Sequence, residues 1–105
     1  MTFRKATAKD YTATSSSGKV TSHATVVNAR CQAVKHLKAD SDPKAVVKVH
    51  KNGSYVGTVK ADEQRTGKYL WNTIIGDEMG NAIASKTYLL NIDGTLGRAL
   101  VSIFL

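Results

Sequence analysis

Between Lys44 and Lys60 the chain reads KAVVKVHKNGSYVGTVK, two runs of β-branched residues on either side of Asn52-Gly53. Asn-Gly suits a type I′ turn, in which both central residues need positive φ, so the pattern predicts a β-hairpin over 44–60. Side chains alternate along a strand, and a two-residue turn sets the register. Regular alternation puts Ala45, Val47, Val49, Val56 and Thr58 on a core face. The opposite face then carries Lys44, Val46, Lys48, His50, Tyr55, Gly57 and Val59.

Upstream the period changes. Val20, Ala24, Val27, Cys31, Val34 and Leu37 recur at three- and four-residue steps, the stripe of an amphipathic helix over about 21–39. Pro43 forbids its continuation, and Lys35 and Lys38 suit the negative end of its dipole. Before it, TATSSSG over 12–18 has the composition of a flexible loop, and an outer strand over 2–13 is only weakly patterned.

Downstream, KYLWNTII predicts a strand over about 68–75, with Trp71 in the core, and AIASKTYLLNI another over 82–92. GDEMGN at 76–81 has turn composition, and Asp93-Gly94 is a second hairpin signal. Residues 95–105 fit both a helical stripe and a strand; Val101, Ile103 and Gly97 favour the strand. The expected fold is α+β, an antiparallel sheet of four to six strands on one helix, in a single domain over 1–105.

Composition narrows the class. Hydrophobic residues make up 42% of 105 residues, enough for one core without disulfides or a metal. No apolar run approaches the roughly 18 residues that cross a bilayer, so no membrane partner is expected. The N-terminal basic residues precede no apolar stretch, and Cys31 is the only cysteine; both predict a cytoplasmic protein. The net charge is +7, and it is unevenly placed. Residues 1–60 hold eleven Lys or Arg against three Asp, and residues 61–105 hold four against five acids. Such a field attracts polyanions, either nucleic acid or an acidic protein surface.

Several chemical motifs are approached and missed. LLNIDGTL, Leu89 to Leu96, resembles the first motif of haloacid dehalogenase phosphatases, but Asn91 stands where the nucleophilic Asp is needed. SSSGKVT, Ser15 to Thr21, lacks the first glycine of a phosphate loop, where Ala13 stands, and its Mg²⁺-binding hydroxyl, where Val20 stands. His23, Cys31 and His36 are spaced so that one helix would not converge them on a metal. Residues Tyr55 to Phe104 resemble in outline the three-stranded sheets of AP2-type and integrase arm-type DNA-binding domains. Arg65 and Arg98 are the only arginines there to serve as base readers.

The expectation is therefore a non-enzymatic, nucleic-acid-binding protein with no cofactor and no metal. Lys35, Lys38, Lys44, Lys48 and Lys51 are assigned to phosphate, and His50 and Tyr55 to sugars or bases. Eleven Lys against four Arg predict contacts that are mostly independent of base sequence. Two alternatives belong to other classes: an inhibitor of phage or mobile-element type that occludes a host protein complex, and a homo-oligomeric assembly protein, a homodimer for instance, joined through an apolar edge at ALVSIFL.

Overall fold

The computed structural model describes residues 10–76 and 82–104. The turn expected at 76–81 and the early part of the outer strand over 2–13 fall largely outside them. The fold is α+β, one seven-stranded antiparallel sheet and one helix: β1 (Tyr11–Ser15), β2 (Val20–His23), α1 (Val26–Ala39), β3 (Val46–Lys51), β4 (Ser54–Ala61), β5 (Tyr69–Gly76), β6 (Ala82–Leu90) and β7 (Leu96–Phe104). The spatial order is β2-β1-β3-β4-β5-β6-β7. The helix packs on β1 to β4, on one face only.

The sheet has more strands than expected because residues 11–15, read partly as an outer strand and partly as a loop, are β1, an interior strand between β2 and β3, and residues 20–23, read into the helix, are β2. The fully inward residues of β1 are Ala13 and Ser15, too small to extend a hydrophobic pattern from the half-buried Tyr11 but buried beneath the helix. Small side chains on both sides, Ala13 and Ala45 below and Ala29 and Ala33 above, let α1 lie close to the sheet. The Ser15 hydroxyl accepts from the Lys19 amide at 3.0 Å, closing the turn into β2.

The helix accordingly starts later than periodicity suggests. Thr25 is the N-cap, its Oγ1 accepting from the Asn28 amide at 3.1 Å, and Val20 and Thr21 belong to β2. Val20, assigned to the helical stripe, is 59% exposed. Its helical spacing from Ala24 is a coincidence of sequence.

The Asn52-Gly53 turn has positive φ at both residues, 50° and 85°, as an I′ turn requires. Beyond His50–Tyr55 the register slips by one residue: Val49 faces Gly57, Lys48 faces Thr58 and Val47 faces Val59. Val56 is the extra residue of a β-bulge. Regular pairing would have turned Lys60 into the core beside Ala45. The bulge instead places Val59 inside, fully buried, and Thr58 outside, reversing the assignments made by simple alternation. Gly57 also lies inward, where a Cβ would sit 2.5 Å from Trp71 Cζ2. Trp71 is in the core as expected, 2% exposed. Val34, Val47, Val49 and Val59 complete that core, each burial contributing about 1.5–3 kcal/mol.

The Asp93-Gly94 turn folds back onto the helix. The Gly94 carbonyl accepts from Arg30 Nε at 2.8 Å, and the Arg30 guanidinium lies 5.0 Å from the Trp71 ring centre. Gly94 has φ +93°, and a Cβ there would collide with the Val27 carbonyl. Burial lowers the Arg30 pKa, and this hydrogen bond with the indole face offsets part of that desolvation. Residues 96–104 form a strand, resolving the helix-or-strand ambiguity.

Candidate nucleic-acid interface

Directly paired residues of neighbouring strands share a face. On the face that α1 leaves uncovered they form three rows. The central row runs Thr14, Lys48, Thr58, Asn72, Thr87 across β1, β3, β4, β5 and β6. A second row runs Ser22, Thr12, His50, Tyr55. The third is Val46, Lys60, Leu70, Leu89. None of the three contains a carboxylate.

Local geometry orders several of these groups. The His50 and Tyr55 rings meet edge to face, with centroids 5.7 Å apart and planes at 70°. Tyr55 OH and Thr58 Oγ1 are hydrogen-bonded at 2.5 Å. Residues three apart in a regular strand point to opposite faces; the Val56 bulge is what brings Tyr55 and Thr58 together. Asn72 Nδ2 donates to Thr87 Oγ1 at 3.0 Å. Tyr55 nonetheless remains 40% exposed, and Lys48 and Lys60 are exposed.

Three adjoining concavities follow one end of these rows. The first, about 350 Å³, is lined by Thr14, Val46, Lys48 and His50 among others. It shares Val46 with a second of about 280 Å³ that includes Lys44. Lys60, Ala61 and Glu63 are common to that one and a third of about 460 Å³, reaching Leu70, Thr87 and Leu100. Together they form a shallow trough with Lys44, Lys48 and Lys60 along it. At its far end Asp62 is ion-paired with Arg65 at 2.8 Å, and this bond holds the Asp62 carboxyl below its usual pKa.

The seven residues assigned from sequence are divided by the fold. Lys48, His50 and Tyr55 come together on the open face, and Lys44 stands at the trough. Lys51 is on the helix-covered side, its ammonium 5.4 Å from the Tyr11 ring centre. Lys35 and Lys38 project from the exposed side of α1, close in sequence to Asp40 and Asp42 and at the negative end of the helix dipole. Sequence reasoning missed Thr12, Thr14, Thr58, Lys60, Asn72 and Thr87. Only the strand order aligns them, and the β1–β3 and β4–β5 pairings within it were marked by no hairpin turn.

His23 and His36, expected to stay apart, both approach Thr21 Oγ1, at 2.7 and 3.5 Å. They meet because residues 20–23 form a strand beside the helix. Burial, and then Lys19, lower the His36 pKa. Among the described residues no group of three His, Cys, Asp or Glu is arranged to hold a metal. No helix among them is long and apolar enough to cross a membrane.

No known protein family matches the chain, and no characterised relative or solved structure is similar to it.

Proposed function

We propose that this protein is a non-catalytic nucleic-acid-binding protein and that the open face of the sheet is its binding surface. The observation that carries the reading is the set of three cross-strand rows. Lys48, Lys60, hydroxyls and an exposed Tyr–His pair stand together there, and no acid interrupts them. Lysines beside a groove neutralise backbone phosphates, and exposed rings offer stacking surfaces that tolerate any base. The helix side is a poorer candidate, because its lysines face a helix C-terminus with nearby aspartates and Lys51 is already placed over Tyr11.

Fluorescence-anisotropy titration against labelled oligonucleotides, repeated across salt, tests the reading. The expected result is micromolar or tighter binding whose log affinity falls with log salt. Changing Lys44, Lys48 and Lys60 together to Glu should abolish it, and changing Lys35 and Lys38 to Glu should leave it nearly intact. No binding at low salt would overturn the proposal.

A second reading, self-assembly, draws on the edges of the sheet. β7 is a nine-residue edge strand, against four residues in β2 at the other edge, and long edges readily pair with another chain. Light scattering that shows a strict monomer at every concentration would exclude it. An acidic protein partner, as the occluding-inhibitor reading requires, would instead appear as a stoichiometric complex that survives nuclease treatment.

A further inference from the structure

Resting on the nucleic-acid reading above, we infer that the ligand is single-stranded RNA lying across the strands along the trough, with one base stacked on Tyr55. Three observations converge on this orientation and class. The first is shape. A seven-stranded sheet is about 29 Å wide at about 4.8 Å per strand, so its face cannot enter a major groove about 12 Å across. The deep, narrow major groove of A-form duplexes is closed to it as well. A flexible single strand can lie along the face.

The second is the direction of the concavities. They succeed one another from β1 through β3, β4 and β5 to Thr87 and Leu100, sharing Val46 and then Lys60, Ala61 and Glu63 as common walls, so that one carboxylate stands beside Lys60 on the path. A chain in them crosses the strands, passing Lys48, Lys44 and Lys60 in turn. The central row covers five strands, about 19 Å, which matches the short end of single-strand site sizes, about four nucleotides.

The third is chemical. Phosphate only accepts hydrogen bonds, and lysines alone would serve it. The rows are richer in hydroxyls, Thr12, Thr14, Thr58 and Thr87, which both donate and accept. Groups of that kind match the ribose 2′-hydroxyl and the edges of unpaired bases. Tyr55 stands just outside the trough, beside the His50 that lines its first concavity, and is exposed and braced by His50 and by the Thr58 hydroxyl, so its ring is already oriented for a base that turns out of the trough.

The test is competition binding at one fixed low salt, with oligouridylates of two, four, six and eight nucleotides, oligothymidylates of the same lengths, and an RNA duplex. Oligouridylate should bind best, with affinity per molecule levelling off between about four and six nucleotides. Tyr55→Ala should weaken it about tenfold, and Tyr55→Phe, which keeps the ring without its hydroxyl, no more than about threefold. Thermal unfolding of both variants distinguishes a missing stacking platform from a failure to fold. Tighter binding of the duplex, equal binding of oligothymidylate, or an unchanged affinity in folded Tyr55→Ala would overturn this inference and leave the wider reading standing. Absence of binding to every oligonucleotide would overturn both.

Discussion

The two faces of one sheet, built from alternate residues of the same strands, have opposite chemistry. On the helix side the row Ser15, Val47, Val59, Trp71 is buried and, apart from the serine, apolar. One residue along, the open side presents Thr14, Lys48, Thr58 and Asn72. The helix side is explained by burial. The open side is not, because burial accounts neither for a row in which threonines alternate with Lys48 and Asn72 nor for an exposed Tyr55 that a bulge brings onto Thr58. The bulge at Val56 is the pivot between them: without its one-residue shift, Lys60 would enter the core and Val59 would interrupt the polar rows.

Substitutions on the buried side should disturb this division most severely. Trp71→Ala should cost about 3–5 kcal/mol, removing the ring that covers Gly57 and Arg30; chemical denaturation measures it. Gly94→Ala comes next, at about 2–4 kcal/mol, since it adds a backbone clash with Val27 to an unfavourable positive φ. If Gly94→Ala unfolds at the wild-type denaturant midpoint, the docking of the β6–β7 turn on the helix is wrong.

Acid should act more gently, and in two stages. The His36 pKa is held below its ordinary value, so the unfolded chain takes up that proton more readily. Its stabilising effect is complete above the ordinary histidine value of about 6.5 and lost as pH falls below it. Asp62 and Asp93 have pKa values lowered by hydrogen bonds, to Arg65 and Thr95 first. The stability they confer is complete above the ordinary carboxylate range and declines as pH falls through and below it. Melting temperatures followed across the range from neutral to acid should show both declines, the first absent in His36→Gln and the second reduced in Asp62→Asn.

The smallest effect on stability, and the largest on binding, belongs to the open face. Lys48→Glu with Lys60→Glu should change stability by no more than about 0.5 kcal/mol, as expected of exposed positions. The same double variant should lower the salt slope of binding to a single strand by about 1.4, at roughly 0.7 for each phosphate no longer neutralised. A variant that unfolds would show that these lysines are structural.

Much of this architecture is legible in the sequence, and the illegible parts have physical causes. The hairpin at Asn52-Gly53 and the two strands after it stand out because β-branched and aromatic residues mark them, while 96–104, set off by Asp93-Gly94, also fits a helical stripe and is only favoured as a strand by Val101, Ile103 and Gly97. β1 does not, since after Tyr11 its inward positions are Ala13 and Ser15 and its outward ones Thr12 and Thr14, a composition shared with loops. Val20 and Ala24 extend the helical period upstream by chance, which hides β2. The bulge left one trace, the unfavourable position that regular pairing assigns to Lys60. Of the candidate site, Lys48, His50 and Tyr55 are legible as one strand-face pattern. The threonine row is not, because it runs through the β1–β3 and β4–β5 pairings, which no hairpin signal specifies.

An amide NMR titration with an eight-nucleotide oligouridylate, read residue by residue, would decide whether the open face is the binding surface. Shifts should be concentrated at Thr14, Lys48, Tyr55, Thr58 and Lys60, with Ala33, Lys35 and Lys38 on the helix unmoved. Shifts centred on the helix, or none at any RNA concentration, would contradict that assignment.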